Sequence, residues 1–82
     1  MMNKKLIIVD DDTPFRDRLG RSMEKKGFIV DRFSNYKDSI IRCYEEVFDY
    51  AIIDMRLEDG SGLELIKKLK EISPKTKSLL LT

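Results

Sequence analysis

The chain has 82 residues, 41% of them hydrophobic and 38% charged, a balance typical of one small globular domain. Its net charge of +1 excludes an electrostatic surface for nucleic acid or for an anionic membrane. With one cysteine and no histidine, the chain has neither an intrachain disulfide nor an imidazole site. The apolar run Leu6–Val9 is too short to span a membrane, and we expect a cytoplasmic protein.

The first half of the chain predicts two strands, each followed by a helix. Leu6–Val9 is a continuous aliphatic run, as in a strand buried on both faces of a parallel sheet. Thr13 is the expected N-cap of the first helix, which ends at Gly27. Phe28–Phe33 alternates like an edge strand, and Ser34 is the expected cap of the second helix. The residues expected on the inner faces of the two helices are Phe15, Leu19 and Met23, then Tyr36, Ile40, Cys43 or Tyr44, and Val47.

The second half continues the same alternation. Tyr50–Ile53 predicts a buried strand that ends at Asp54, and Asp59–Gly62 has the composition of a turn. Ser61 is suited to cap a third helix, and Ser78–Thr82 is a last aliphatic strand. The buried face of the third helix is expected to contain Leu65, Ile66, Leu69 and Ile72. Strands that alternate with helices predict an α/β fold with a parallel sheet and right-handed crossovers.

Acidic side chains follow two of the predicted buried strands. Asp10 and Asp11 follow the first strand, and Asp54 ends the third. Ligands of such folds bind at the carboxyl ends of the strands, where these carboxylates converge if the two strands are neighbours. Converging carboxylates repel unless a cation joins them or one of them stays protonated. Ligands that are all oxygen suit Mg²⁺, which often accompanies phosphate. Thr82 would add a hydroxyl beside this site.

Each motif also has a plainer interpretation. Asp10–Asp12 alone is a turn and helix-cap signal, Asp54 alone is ambiguous, and Asp59–Gly62 alone is a turn. Their joint arrangement favours a magnesium-assisted phosphoryl site. A competing hypothesis is a phosphatase of the haloacid-dehalogenase type, whose Asp-x-Asp motif also follows a buried strand. That motif needs a threonine two residues after its second aspartate, where this chain has Pro14.

The chain resembles the receiver domains of bacterial two-component response regulators. The resemblance lies in Leu6–Asp12, in Asp54 and in Glu58–Leu63. The longer stretches Val9–Val30 and Asp54–Ile66 resemble the RegA/PrrA/ActR branch, whose members regulate transcription. The resemblance covers residues 1–82 as the N-terminal part of a receiver domain. It implies a flavodoxin-like (CheY-like), doubly wound parallel sheet, incomplete, with strand order 2-1-3-4, in a signalling domain rather than an enzyme.

The resemblance also implies a role for each site residue. Asp54 matches the phosphoacceptor, which takes a phosphoryl group from the phosphohistidine of a sensor histidine kinase. Asp10 and Asp11 match the acidic pair that holds Mg²⁺ together with Asp54 and the backbone carbonyl of Arg56. Thr82 matches the switch hydroxyl that couples phosphorylation to a conformational change.

The chain ends at the predicted fourth strand, whereas the resemblance implies a fifth strand with a lysine, two more helices and a DNA-binding domain. Without that lysine we expect phosphoryl transfer and switching to be impaired. Without the last helix, one sheet face and one edge strand would lie open, and we expect either marginal stability or a homodimer formed through that face or by strand exchange. The alternative is an interaction module that is never phosphorylated. Direct binding of nucleic acid by this chain is not expected.

Overall fold

The computed structural model describes residues 3–82, in which helices alternate with strands. The strands β2 (Ile29–Phe33), β1 (Lys5–Val9), β3 (Tyr50–Asp54) and β6 (Lys77–Leu81) form one parallel sheet in that order. The strands β4 (Arg56–Leu57) and β5 (Gly60–Ser61) form a two-stranded antiparallel ribbon. The predicted α/β fold and its strand order are confirmed, with β6 as the predicted fourth strand, whereas the ribbon was not predicted. No helix within residues 3–82 is long and apolar enough to cross a membrane. The elements are β1 (Lys5–Val9), α1 (Thr13–Lys25), β2 (Ile29–Phe33), α2 (Tyr36–Glu45), β3 (Tyr50–Asp54), β4 (Arg56–Leu57), β5 (Gly60–Ser61), α3 (Gly62–Ile72) and β6 (Lys77–Leu81).

The main core lies between one face of the sheet and the helices α2 and α3. Alternate residues of β1 and β3 point to this side, because successive side chains of a strand face opposite ways. Leu65 and Leu69 of α3 are buried against them, as predicted, with 0% and 2% of their surfaces exposed. Burying a leucine side chain stabilises a fold by about 1.5–3 kcal/mol. The buried cluster contains Ile7, Val9, Cys43, Phe48, Ala51, Ile53, Leu57, Leu65 and Leu69.

The opposite face of the sheet is covered by α1 and is partly open. Leu6 and Ile8 of β1 are fully buried, but Leu79 of β6 has 57% of its surface exposed. A groove of about 420 Å³ is lined by Leu6 and Leu79, and Met23 of α1 forms one of its walls. The structure therefore has an open apolar face on the side of the sheet that carries α1.

The residues that cap α1 and α2 each differ by one position from the predicted caps. Asp12, and not Thr13, caps α1, and Asn35, and not Ser34, caps α2 by accepting a hydrogen bond from Asp38 N at 2.8 Å. Both caps have extended backbones, which leaves the side chain free to reach forward to the first turn. The prediction of Ser61 as the cap of α3 is confirmed.

The inner face of α2 was predicted only in part. Of the two alternatives Cys43 and Tyr44, Cys43 is buried and Tyr44 has 62% of its surface exposed. Val47 has 69% of its surface exposed, so its placement on the inner face was wrong. The helix turns a narrow stripe toward the core, where Ser39 is buried and donates its hydroxyl to the carbonyl of Tyr36 at 2.8 Å. Val47 lies beyond the last residue of the helix, and so the helical period does not apply to it.

Hydrogen bonds of Phe48 and Asp49, which lie just before β3, hold together the amino ends of β1, β3 and β6. The Asp49 carboxylate accepts from Lys5 N at 2.8 Å, and Asp49 N donates to the carbonyl of Lys5 at 2.9 Å. Lys77 N donates to the carbonyl of Asp49 at 3.0 Å, which continues the pattern across to β6. The Thr76 hydroxyl donates to the carbonyl of Phe48 at 2.6 Å. These contacts satisfy backbone groups that would otherwise be unpaired at this end of the sheet.

Candidate functional site: a carboxylate cluster at the carboxyl edge of the sheet

Three predicted site residues lie together at the carboxyl edge of the parallel sheet. Val9 of β1 is in register with Ile53 of β3, so the next residues, Asp10 and Asp54, come side by side. One carboxylate oxygen from each of Asp10, Asp11 and Asp54 lies within 4.8 Å of the others. Asp10 is buried, with 5% of its surface exposed, while Asp54 is half-buried and Asp11 is exposed.

The turn after β1 holds Asp10 through both its side chain and its backbone. Asp12 N donates to Asp10 Oδ1 at 2.9 Å, and Arg16 Nη1 donates to the carbonyl oxygen of Asp10 at 2.8 Å. Asp12 in turn accepts from Phe15 N at 3.2 Å as the cap of α1. The orientation of Asp10 is therefore coupled to the start of the helix.

The cluster carries negative charge that no ion pair among the described residues neutralises. Burial raises the pKa of Asp10 above that of an ordinary aspartate, the hydrogen bond from Asp12 N opposes this, and the charges of Asp54 and Asp11 raise the pKa further. Within residues 3–82, none of the ion pairs involves one of the three clustered carboxylates. A site of oxygen ligands with unbalanced negative charge fits a hard divalent cation, and the donor set therefore fits Mg²⁺.

The backbone of Asp54 is fixed by close packing against the start of α3. Gly62 N donates to the carbonyl of Met55 at 2.8 Å, and Met55 N donates to the carbonyl of Leu81 at 2.9 Å. A Cβ atom at Gly62 would overlap the carbonyl oxygen of Asp54 and lie 2.8 Å from its carbonyl carbon. Only glycine permits this approach, and it determines where β3 presents the Asp54 side chain.

Arg56 and Thr82, the two other predicted site residues, are exposed at the same edge of the sheet. Arg56 begins β4 and pairs with Ser61 of β5. Thr82 follows Leu81, the register partner of Asp54. The roles of Arg56 as a carbonyl ligand and of Thr82 as a switch hydroxyl stay predictions.

Asp59 makes contacts that the sequence analysis did not predict. Its two carboxylate oxygens accept hydrogen bonds from Tyr36 N at 2.7 Å and from Lys37 N at 3.0 Å, at the start of α2. The hydrogen bonds from Lys37 N and then Tyr36 N lower the pKa of Asp59 below its ordinary value. The partners are 22 and 23 residues distant along the chain, so no local pattern signals the contact.

The parallel α/β sheet and the acidic cluster at its carboxyl edge together define the class, a CheY-like receiver fold. Residues 6–82 match the family described as the response regulator receiver domain. The chain belongs to this family.

Two curated relatives confirm the resemblance to the RegA and ActR branch. The photosynthetic apparatus regulatory protein RegA of Cereibacter sphaeroides is 36% identical over 80 residues, which are 98% of this chain and 44% of the relative. The acid tolerance regulatory protein ActR of Rhizobium meliloti is 40% identical over 80 residues, 98% of this chain and 41% of the relative. The chain thus spans less than half the length of these two relatives.

A solved structure supports the same assignment. A response regulator of Burkholderia pseudomallei, determined with a phosphorylated aspartic acid, a calcium ion and citrate, superposes with a TM-score of 0.91 at 30% identity. The match covers 98% of this chain and 47% of that one.

Proposed function

We propose that this chain is a phosphoacceptor module in which Asp54 receives a phosphoryl group from a sensor histidine kinase. The observation that carries the proposal is the convergence of the Asp10, Asp11 and Asp54 carboxylates within 4.8 Å in a chain of the receiver family. Asp54 is half-buried and so remains open to a donor from solvent. The phosphorylated aspartate of the Burkholderia pseudomallei relative supports this role.

The proposed reaction is a single phosphoryl transfer. A carboxylate oxygen of Asp54 attacks phosphorus, a P–O bond forms and the P–N bond to the donor imidazole breaks. The imidazole nitrogen keeps the electron pair and takes up a proton, which leaves an aspartyl phosphate on this chain. Asp10, Asp11, Asp54 and the backbone carbonyl of Arg56 would hold Mg²⁺, which when bound supplies positive charge that neutralises the phosphoryl oxygens.

The remaining assignments follow from the family. Thr82 would donate its hydroxyl to a phosphoryl oxygen and so couple the modification to the conformation of β6. By likeness to RegA and ActR, the module would act in the cytoplasm, upstream of the regulation of transcription.

The test is incubation of the chain with acetyl phosphate and Mg²⁺, followed by measurement of its intact mass. We expect a gain of one phosphoryl group that is absent in Asp54→Asn and absent when Mg²⁺ is chelated. A folded wild-type chain that gains no mass would refute the proposal and favour an interaction module. Steady release of phosphate from a phosphate ester would instead favour the phosphatase hypothesis.

Self-association through a second copy of this chain is a further proposal. It is supported by the open groove, by Leu79, which is 57% exposed, and by β6, whose one partner within residues 3–82 is β3. An apolar face beside an unpaired strand edge favours pairing with another chain. Sedimentation velocity over a hundredfold range of concentration should show a dimer, and a constant monomer mass together with a cooperative melt would contradict it.

A further inference from the structure

The ribbon that joins β3 to α3 is too short to fix its own geometry. β4 and β5 have two residues each, and the ladder consists of the pairs Arg56–Ser61 and Leu57–Gly60. An isolated two-stranded ribbon is marginally stable even when it is much longer. Leu57 anchors the ribbon on one side, because it is buried in the core with 8% of its surface exposed. The opposite tip needs an anchor of its own.

Asp59, at the tip of the ribbon, provides that anchor by binding the start of α2. Both of its carboxylate oxygens are used, one by Tyr36 N at 2.7 Å and the other by Lys37 N at 3.0 Å. The neighbouring Gly60 faces the Tyr36 side chain, where a Cβ atom would lie 3.5 Å from the ring. A negative charge is also favourable at the positive end of the helix dipole.

The helix α2 has a second, local cap and does not need Asp59 in order to begin. Asn35 Oδ1 accepts from Asp38 N at 2.8 Å, which is the ordinary capping contact three residues ahead. Three N–H groups at the start of α2 therefore have partners, and two of these are supplied by the ribbon. The Asp59 contact thus does more than start a helix, because it ties the ribbon to a neighbouring element.

We propose that Asp59 is a positioning residue for the metal site, acting through the backbone carbonyl of Arg56. The proposal rests on the proposed function, in which that carbonyl is a ligand of Mg²⁺. Arg56 begins one arm of the ribbon, and Asp59 lies in the turn that joins the two arms, so release of Asp59 frees the ribbon that carries the carbonyl. Residues that orient a ligand from outside the coordination shell commonly change metal affinity by about 10- to 100-fold.

The experiment compares two variants that each remove one cap from the same helix. Asp59→Ala removes the ribbon contact, and the matched control Asn35→Ala removes the local cap. For each, Mg²⁺ is titrated into ¹⁵N-labelled protein without any phosphodonor, and the dissociation constant is read from the amide chemical shifts of Asp11 and Asp54. Thermal melts, run in parallel, show that each variant is folded.

We expect Asp59→Ala to weaken Mg²⁺ binding by about tenfold, with Asn35→Ala within twofold of wild type even though both variants lower Tm. Asp59→Asn retains one acceptor oxygen and should fall between wild type and Asp59→Ala. Equal Mg²⁺ affinities in Asp59→Ala and Asn35→Ala would overturn the positioning role.

The same data distinguish a failure of the positioning role of Asp59 from a failure of the proposed phosphoacceptor function. A wild-type chain that binds Mg²⁺ but is not labelled at Asp54 by acetyl phosphate refutes the phosphoacceptor, and the affinity comparison still decides the role of Asp59. A folded wild-type chain that binds no Mg²⁺ overturns both proposals.

Discussion

The guanidinium group of Arg32 lies directly over Gly20, in the middle of α1. A Cβ atom at Gly20 would come within 2.6 Å of Arg32 Cζ, so the absence of a side chain makes room for the arginine. From this position Arg32 Nη2 reaches Glu24 at 2.8 Å, and Arg32 Nε lies 3.9 Å from Asp17. Gly20 lowers the stability of the helix on its own. Because it leaves room for Arg32, however, it allows the edge strand β2 to hold α1 by the ion pair with Glu24.

Replacement of Gly20 by alanine should stabilise the protein only when Arg32 is absent. Gly20→Ala normally stabilises a helix by about 1 kcal/mol, but here the new methyl group displaces the guanidinium from Glu24. We expect no gain, or a loss, in wild type and a gain of about 0.5–1 kcal/mol in an Arg32→Ala background. Urea unfolding of the four proteins gives the coupling free energy, and additive effects would contradict the contact.

Gly62→Ala should be much more damaging than Gly60→Ala. At Gly62 the methyl group would overlap the backbone of Asp54, which cannot move aside as a side chain can, and we expect a loss of about 2–4 kcal/mol. At Gly60 the nearest atoms are those of the Tyr36 ring at 3.5 Å, an ordinary contact, and we expect a change within about 0.5 kcal/mol. Chemical denaturation measures both, and similar losses would show that the approach of α3 to Asp54 is not close.

Asp10→Asn should stabilise the metal-free protein and reduce its response to Mg²⁺. Burial and the neighbouring charges of Asp54 and Asp11 raise the pKa of Asp10 in the folded chain. A raised pKa means that the carboxyl group favours folding when protonated, and that this contribution is lost as pH rises through the folded pKa. At neutral pH the carboxylate therefore opposes folding, whereas asparagine keeps an oxygen for Asp12 N. Melts in chelator and in Mg²⁺ test this, and an equal rise of Tm with Mg²⁺ in both proteins would contradict it.

The stabilising effect of Asp59 should disappear in acid. Its folded-state pKa is lowered because Lys37 N and Tyr36 N bind the ionised form. Its contribution is therefore present above the ordinary carboxyl pKa of about 3.9 and is lost as pH falls through the folded pKa. The difference in stability between wild type and Asp59→Asn, measured by urea unfolding from pH 7 to pH 3, should shrink over that range. Glu58→Gln, which removes a neighbouring exposed charge, is the control, and a difference as large at pH 3 as at pH 7 would argue against the carboxylate cap.

Cys43 should resist thiol reagents in the folded protein. Burial raises the pKa of its thiol to about 11. Since the thiolate is the reactive form and an ordinary thiol has a pKa of about 8.5, its population at pH 8 falls on the order of a hundredfold. Labelling with iodoacetamide should therefore follow unfolding, and equal labelling rates in buffer and in urea would contradict this.

The sequence was sufficient for the sheet and for the acidic cluster but not for the contacts between loops. Buried aliphatic runs ending in Asp10 and Asp54 mark the carboxyl ends of parallel strands, and these ends must share one edge. The capping residues of α1 and α2 were missed by one position, because a choice such as that between Thr13 and Asp12 depends on how the chain enters the helix. The contact of Asp59 with α2 joins parts of the chain that are far apart in sequence. A turn with this composition would form equally well without contacting α2, so the composition does not indicate the contact.

Hydrogen bonds of Asp49 and Thr76 hold the strands together at their amino ends. The acidic cluster lies at the opposite, carboxyl edge of the sheet. One end of the sheet thus maintains the fold, and the opposite end carries the proposed phosphoacceptor site. Where close packing such as that of Gly62 does not forbid it, substitutions in the loops at the carboxyl edge would retune the proposed metal affinity while these amino-end contacts continue to hold the strands together. Such a division allows one scaffold to diversify into many signalling specificities without being rebuilt each time.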